Sequence, residues 1–153
     1  MLFGGRRRPR RLRVLRTELR PIAPVATVPR TDRAAAGILV VIGLGFGLAT
    51  PIVIAHLRRT GELPMTPWGF RAMSGPFERF DQNVFSALLI AFGAVCAADV
   101  AAGALLWRGD PRGRPLAAVA TPPGVILGLG FALPFYLAAV PAWSALLILG
   151  RRL

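Results

Sequence analysis

Apolar and polar positions do not alternate along most of this chain; they separate into long blocks. The first block is "AAAGILVVIGLGFGLATPIVIAHL", residues 34–57, with no charged residue. The second is "VFSALLIAFGAVCAADVAAGALLW", residues 84–107, interrupted only by Asp99. Each is long enough as a helix to cross a hydrocarbon core of ~30 Å. The third block, residues 115–150, is too long for one span and just enough for two short ones. Pro134 marks its natural break, because proline removes an amide donor and disfavours helix at the residue before it. The pattern therefore predicts an all-α, polytopic membrane protein. Its four transmembrane helices lie at about 34–57, 84–107, 116–133 and 135–150, with an outer loop over 58–83 and a basic tail over 1–33. The competing reading of the third block is a single kinked helix beginning near Gly124.

Composition agrees with that pattern. Apolar residues make up 54% of the 153, and mean hydropathy is +0.56, both above what a soluble domain needs. All 19 basic residues are Arg, a bias that weakens arguments from any single one. Their distribution still carries information. Ten lie in residues 1–33, three more (Arg108, Arg112, Arg114) between the second and third spans, and Arg151 and Arg152 at the end. Four spans put all of these on one side, and short loops rich in Arg favour the cytoplasm. The remaining Arg58, Arg59, Arg71 and Arg79 share the other loop with Glu62, Glu78 and Asp81. The expectation is a multi-pass protein of a bacterial plasma membrane with both termini cytoplasmic.

The basic head concentrates Arg6, Arg7, Arg8, Arg10, Arg11, Arg13 and Arg16. Leu12, Leu15 and Leu19 recur among them at helical spacing. Two readings follow: a tail that serves as a topology signal, or a basic amphipathic helix lying on anionic lipid headgroups. Nucleic-acid binding is disfavoured, since no aromatic interleaving accompanies the charge. The head is too long and too charged for a secretory leader, and an uncleaved anchor is expected.

The chemistry available inside the spans is sparse. One Cys (Cys96) and one His (His56) supply no disulfide, CxxC pair or multi-histidine site within a chain, and no cofactor or metal is implied. Asp99 stands out. A carboxylate within a span costs ~2.5–3.5 kcal/mol on insertion scales and normally faces the bundle interior with a partner. Matching depths from the helix ends nominates Thr121, Trp143 and Ser144 as partners, with Arg108, Arg112 or Arg114 reaching in by snorkelling. Gly43/Gly47 and Gly124/Gly128 are GxxxG pairs that predict close helix contact, either within the chain or in a homo-oligomer.

Residues 60–80 are too apolar for a solvated linker: Trp68, Phe70, Phe77 and Phe80 fall there, with Arg71 among them. They predict an ordered interfacial cap between the first two spans. Thr66-Pro67 is suited to start a short helix, Ser74-Gly75-Pro76 to stop it, and Pro76 to begin a second turn through Phe80. "GELPMTPWGFRAMSGPFERF", "ADVAAGALLW" and "GFALPF" together resemble small uncharacterised four-span membrane proteins of actinobacteria. The resemblance covers about residues 34–150, implies four spans in a bacterial plasma membrane, and assigns no catalytic residue. Three function classes remain: a non-enzymatic accessory or lipid- or protein-interacting bundle, an ion-coupled transporter using Asp99, and a membrane enzyme with its site in the outer loop.

Overall fold

The computed structural model describes residues 28–150. The arginines of the basic head from Arg6 to Arg16, and Arg151 and Arg152, lie outside the described residues. Among the described residues the fold has four α-helices: α1 (Arg30–Thr60), α2 (Gln82–Trp107), α3 (Gly113–Gly130) and α4 (Pro134–Leu149). A single 3₁₀ turn, Pro76–Arg79, lies between α1 and α2, where Pro76 was expected to begin one. The helices run up, down, up and down. α1 packs along α2, α2 on α3, and α4 closes the bundle against α1 and α3. The start of α1, the α2–α3 turn and the end of α4 gather at one end, called here the Asp32 end. The α1–α2 connection, residues 61–81, folds at the other, the cap end.

α1 and α2 are long and apolar enough to cross a membrane, at 31 and 26 residues. Only 22% and 33% of their most apolar stretches are buried within the protein. The core helix of a water-soluble domain would bury most of such a stretch. Val41, Leu48, Ile52 and Ile90 instead project outward. α4 is equally apolar but has only 16 residues, about 24 Å.

Small residues bring α1 and α2 together. A Cβ at Gly43 would stand 2.8 Å from the Cys96 carbonyl oxygen, and one at Gly103 would stand 2.8 Å from the Ala36 carbonyl oxygen. Gly47 faces Cys96 in the same seam. The first GxxxG pair is thus used within the chain. The second makes room on α3 for the ring of Tyr136, which a Cβ at Gly124 or Gly128 would meet.

The third block is two helices, not one kinked helix. The helices run over 113–130 and 134–149, beside spans read from the sequence as about 116–133 and 135–150. Pro115 is tolerated in the first turn of α3, where a missing N–H costs nothing. At the other end Pro134 holds Leu133 out of the helical region (φ −95°, ψ 87°). The Leu133 N–H returns to Gly128 O at 2.9 Å and the Ala132 N–H to Leu129 O at 3.1 Å. This is a Schellman stop, with Ala132 at φ 49° in the place usually held by glycine.

α1 likewise starts inside the supposed tail, at Arg30 rather than residue 34. Asp32 in its first turn is the reason. The Arg114 guanidinium donates to both carboxylate oxygens of Asp32 at 2.9 Å and to Gly150 O at 3.3 Å. One cation therefore joins α1, α3 and the end of α4.

The cap differs from expectation in its first half. Thr66-Pro67 does not start a helix. The Gly69 N–H closes a turn on Thr66 O at 3.0 Å with Gly69 at φ 83°, and this reverses the chain. Thr66 N then pairs with Phe70 O, and Ala72 N with Pro64 O, both at 2.8 Å. The result is a small hairpin over residues 64–72. Its second half docks on the α3–α4 turn. Gly75 lies against the backbone of residues 130–132, and Phe77 stacks edge-on to Phe131 at 5.2 Å while covering Gly130.

Candidate functional site

Two places in this fold gather chemistry. The first is a polar node inside the bundle. Asp99, on α2, is buried to 1% exposure, and the Tyr136 hydroxyl donates to its Oδ2 at 2.9 Å. Tyr136 enters from the first turn of α4, and glycine at 124 is what lets its hydroxyl pass α3. The phenol ring is walled by Phe92 at 5.3 Å, Phe46 at 5.9 Å and Trp143 at 5.8 Å, each edge-on. Phe92 continues through Phe131 to Phe77, so an aromatic column links the node to the cap. Asp99 Oδ1 and Trp143 Nε1 are buried without a hydrogen-bond partner among the described residues.

The sequence-based partners for Asp99 need correcting. Its hydrogen bond comes from Tyr136, which depth matching had passed over. Arg114 is held by Asp32 instead, and Arg112 lies exposed in the α2–α3 turn. Thr121 turns its hydroxyl back to Ala117 O at 2.7 Å. With Ser144, Trp143 and Arg114 it lines a groove of about 260 Å³ between α3 and α4. Thr121, Ser144 and Trp143 do come together, but at this groove, where Trp143 alone also reaches the wall of the node. Tyr136 is the only tyrosine in the chain, and that was the available signal.

The second place lies beneath the cap. A cleft of about 770 Å³ is bounded by α1 from Val41 to Val53, by the hairpin, and by residues 131–135. Its walls are mostly apolar, with Trp68 and Phe70 stacked at its edge at 6.3 Å and 16°. A smaller cleft of about 290 Å³ carries Glu62, Arg71, Glu78 and Gln82. Arg71 lines both. Its ion pair with Glu78 is long, at 3.9 Å, and more than half of its side chain is exposed. Phe80 is also exposed and lies tilted against Phe77 at 5.8 Å, so the aromatic residues of residues 60–80 divide: Phe77 anchors, while Trp68, Phe70 and Phe80 face outward.

Among the described residues, no three His, Cys, Asp or Glu side chains cluster as metal ligands would. Comparison of the chain with protein-family models, curated proteins and solved structures finds no match.

Proposed function

We propose that this chain is a four-span integral protein of a bacterial plasma membrane, with both termini cytoplasmic, acting as a non-enzymatic lipid-interacting bundle. The observation that carries this reading is the outward apolar surface. It continues from α1 and α2 onto α3 and α4 through Val119, Ile126, Phe135 and Ile148. Such a surface is costly in water and neutral in lipid. Helices α3 and α4 are short, and their connection is a tight turn of three residues, so they enter the bilayer together as a hairpin. Charge sets the orientation. Arg30, Arg33, Arg108, Arg112 and Arg114 belong to the Asp32 end, whereas Glu62, Glu78 and Asp81 offset the arginines of the cap end.

Cysteine accessibility tests the topology, since the native Cys96 is buried. In intact cells a membrane-impermeant maleimide should label Glu62→Cys, and should label Arg112→Cys only after lysis. The reverse pattern would overturn the orientation. Extraction of the chain by alkaline carbonate would overturn membrane integration.

The ion-coupled reading keeps one specific support, the unpaired Oδ1 of Asp99. Proton relays use ionisable groups in series that reach water, whereas the groups beside this carboxylate are the buried Tyr136 phenol and the buried Cys96 thiol one turn before it on α2. The tie to Tyr136 accounts for Asp99 as a structural link between α2 and α4. Equal proton flux through wild type and Asp99→Asn in liposomes is expected; a loss of flux in the variant would favour coupling.

A further inference from the structure

The two clefts that share Arg71 have opposite character. The larger follows α1 from Val41 to Val53, a run of about 18 Å at 1.5 Å per residue. That is close to the depth of one leaflet of a ~30 Å hydrocarbon core. Its volume of about 770 Å³ falls within the ~300–1,000 Å³ of pockets that enclose a small molecule. Its walls include Val41, Phe46, Ala49 and Phe135, and Val41 and Phe135 are also part of the outward apolar surface, so the cleft is continuous with it. At its edge stands Trp68, 78% exposed, of the residue type that favours the headgroup boundary.

The smaller cleft is polar and carries both signs of charge, Arg71 against Glu62 and Glu78. The Arg71 guanidinium makes no hydrogen bond among the described residues beyond its long approach to Glu78, leaving a planar set of donors for a phosphate. Two carboxylates beside one cation disfavour a headgroup that is only anionic. They suit one that carries a phosphate and, a few bonds away, an ammonium able to donate hydrogen bonds.

We propose that the cap is a lipid-binding site for a phospholipid with a primary-amine zwitterionic headgroup, phosphatidylethanolamine in chemical class. One acyl chain lies in the cleft along α1, its phosphate on Arg71 and its ammonium on Glu62 and Glu78. This rests on the four-span reading above, because only that topology sets the cleft in a leaflet with its mouth at the headgroups. Arg71 is the pivot between chain and headgroup, and the hairpin turn at Gly69 is what presents it beside the Trp68–Phe70 stack.

The test is native mass spectrometry of the full chain, purified in mild detergent after exchange into equal parts of phosphatidylethanolamine, phosphatidylglycerol and phosphatidylcholine. The expected result is one retained phosphatidylethanolamine. Arg71→Gln should lower its occupancy about tenfold, the loss of one charge-assisted contact. Gly45→Phe should also expel it. Gly45 lines the cleft and a Cβ there meets nothing within 4 Å, so the new ring fills the cleft without disturbing the bundle. Retention of phosphatidylglycerol or phosphatidylcholine in preference, or wild-type occupancy in both variants, would overturn the site. A chain that resists carbonate extraction yet retains no lipid would overturn this proposal alone. A chain that carbonate extracts would overturn the membrane reading and this site with it.

Discussion

The α1–α2 half of the bundle and the α3–α4 half are held by different physics. α1 and α2 meet backbone to backbone. Gly43 and Gly103 leave no room for a methyl group, and the seam between them is small and apolar, with Asp99 at its border. On the proposed membrane reading, burial of apolar surface provides no drive between helices, and such close packing is what associates them. α3 and α4 touch each other sparingly, with a groove of about 260 Å³ between them. They pack instead on the other half, α3 on α2, where a Cβ at Gly113 would meet the Ala102 carbonyl, and α4 on α1. Specific ties add to that packing: Tyr136 to Asp99, Arg114 to Asp32, and Phe77 of the cap over Gly130. The long pair closes by shape alone, whereas the short pair adds to its packing on that scaffold three specific ties, one at each end and one between.

The largest effect is therefore expected in the seam. Gly103→Val places a branched side chain against the Ala36 carbonyl and the side chains of Leu39 and Val40. The Ala36 carbonyl and the Leu39 Cβ are fixed to the α1 backbone and cannot move aside. Overpacking of this kind costs ~3 kcal/mol or more. A fall in the thermal midpoint of the detergent-solubilised chain would measure it. A variant as stable as wild type would show that the seam is not the scaffold.

Next in size is the middle tie. Tyr136→Phe removes the one donor to Asp99 among the described residues while keeping the ring, and leaves that buried carboxyl without a partner among them. The cost is ~1–3 kcal/mol. Gly124→Ala should produce a similar loss from the opposite side, by pushing the Tyr136 hydroxyl off its path. The two losses should not add in the double variant, because both break one bond. Additive losses would mean that Gly124 acts through helix packing alone. Trp143, edge-on to Tyr136, offers a local fluorescence probe of the same site.

Much of this comparison is already legible in the sequence, and the parts that are not fail for identifiable reasons. The two long helices are apolar runs, the second broken only by Asp99, and GxxxG spacing announces close contact without further help. Pro134 marks the α3–α4 break because its geometry is fixed by its own ring. Whether Gly43 and Gly47 serve the chain itself or a second copy is a tertiary question, answered here by Cys96 and Val100 against them. Tyr136 escaped notice because matching depths compares backbone positions and ignores the reach of a long side chain. Trp143 does sit at the wall of the node, but it is the phenol two residues into α4 that spans down to the carboxylate. Asp32 escaped because it lies among arginines and reads as tail, although an acid in the first turn also suits the helix dipole. In the cap, Thr66-Pro67 fits a helix start and a tight turn equally well. Gly69 decides between them, and its left-handed backbone is visible only in the structure.

The tie at the Asp32 end should matter less than the middle one. Its partners are partly exposed, 23% for Arg114 and 10% for Asp32, so water or headgroups take over some of what either loses. Asp32→Asn or Arg114→Gln should each cost ~1–2 kcal/mol, between the values for exposed and fully buried pairs. A double-mutant cycle checks the pairing: a coupling near zero would mean that the arginine stabilises the end of α4 at Gly150 O independently of Asp32. The contrast with Tyr136→Phe is the informative quantity. If the charged pair proved the stronger of the two, the short half would be anchored at its end rather than through its centre.

The smallest expected effect is a gain, and it isolates the hairpin from its fastenings. The α1 and α2 helices stop on Gly61 (φ 75°) and Gly109 (φ 74°), both suited to left-handed backbone. α3 stops on Ala132 at φ 49°, where the Cβ crowds the following carbonyl. Ala132 is exposed, so its methyl contributes little packing in return. Ala132→Gly should therefore relieve strain while keeping both Schellman hydrogen bonds, from Ala132 to Leu129 and from Leu133 to Gly128. Added freedom in the unfolded chain offsets part of that relief. The net gain expected is ~0.5–1 kcal/mol, read as a small rise in thermal midpoint. No gain, or a loss, would mean that the freedom glycine gives the unfolded chain outweighs the strain it relieves in the turn. The stop would then depend on Pro134 and on the Phe77–Phe131 stack above it, and the short half would owe even its turn to contacts with the cap.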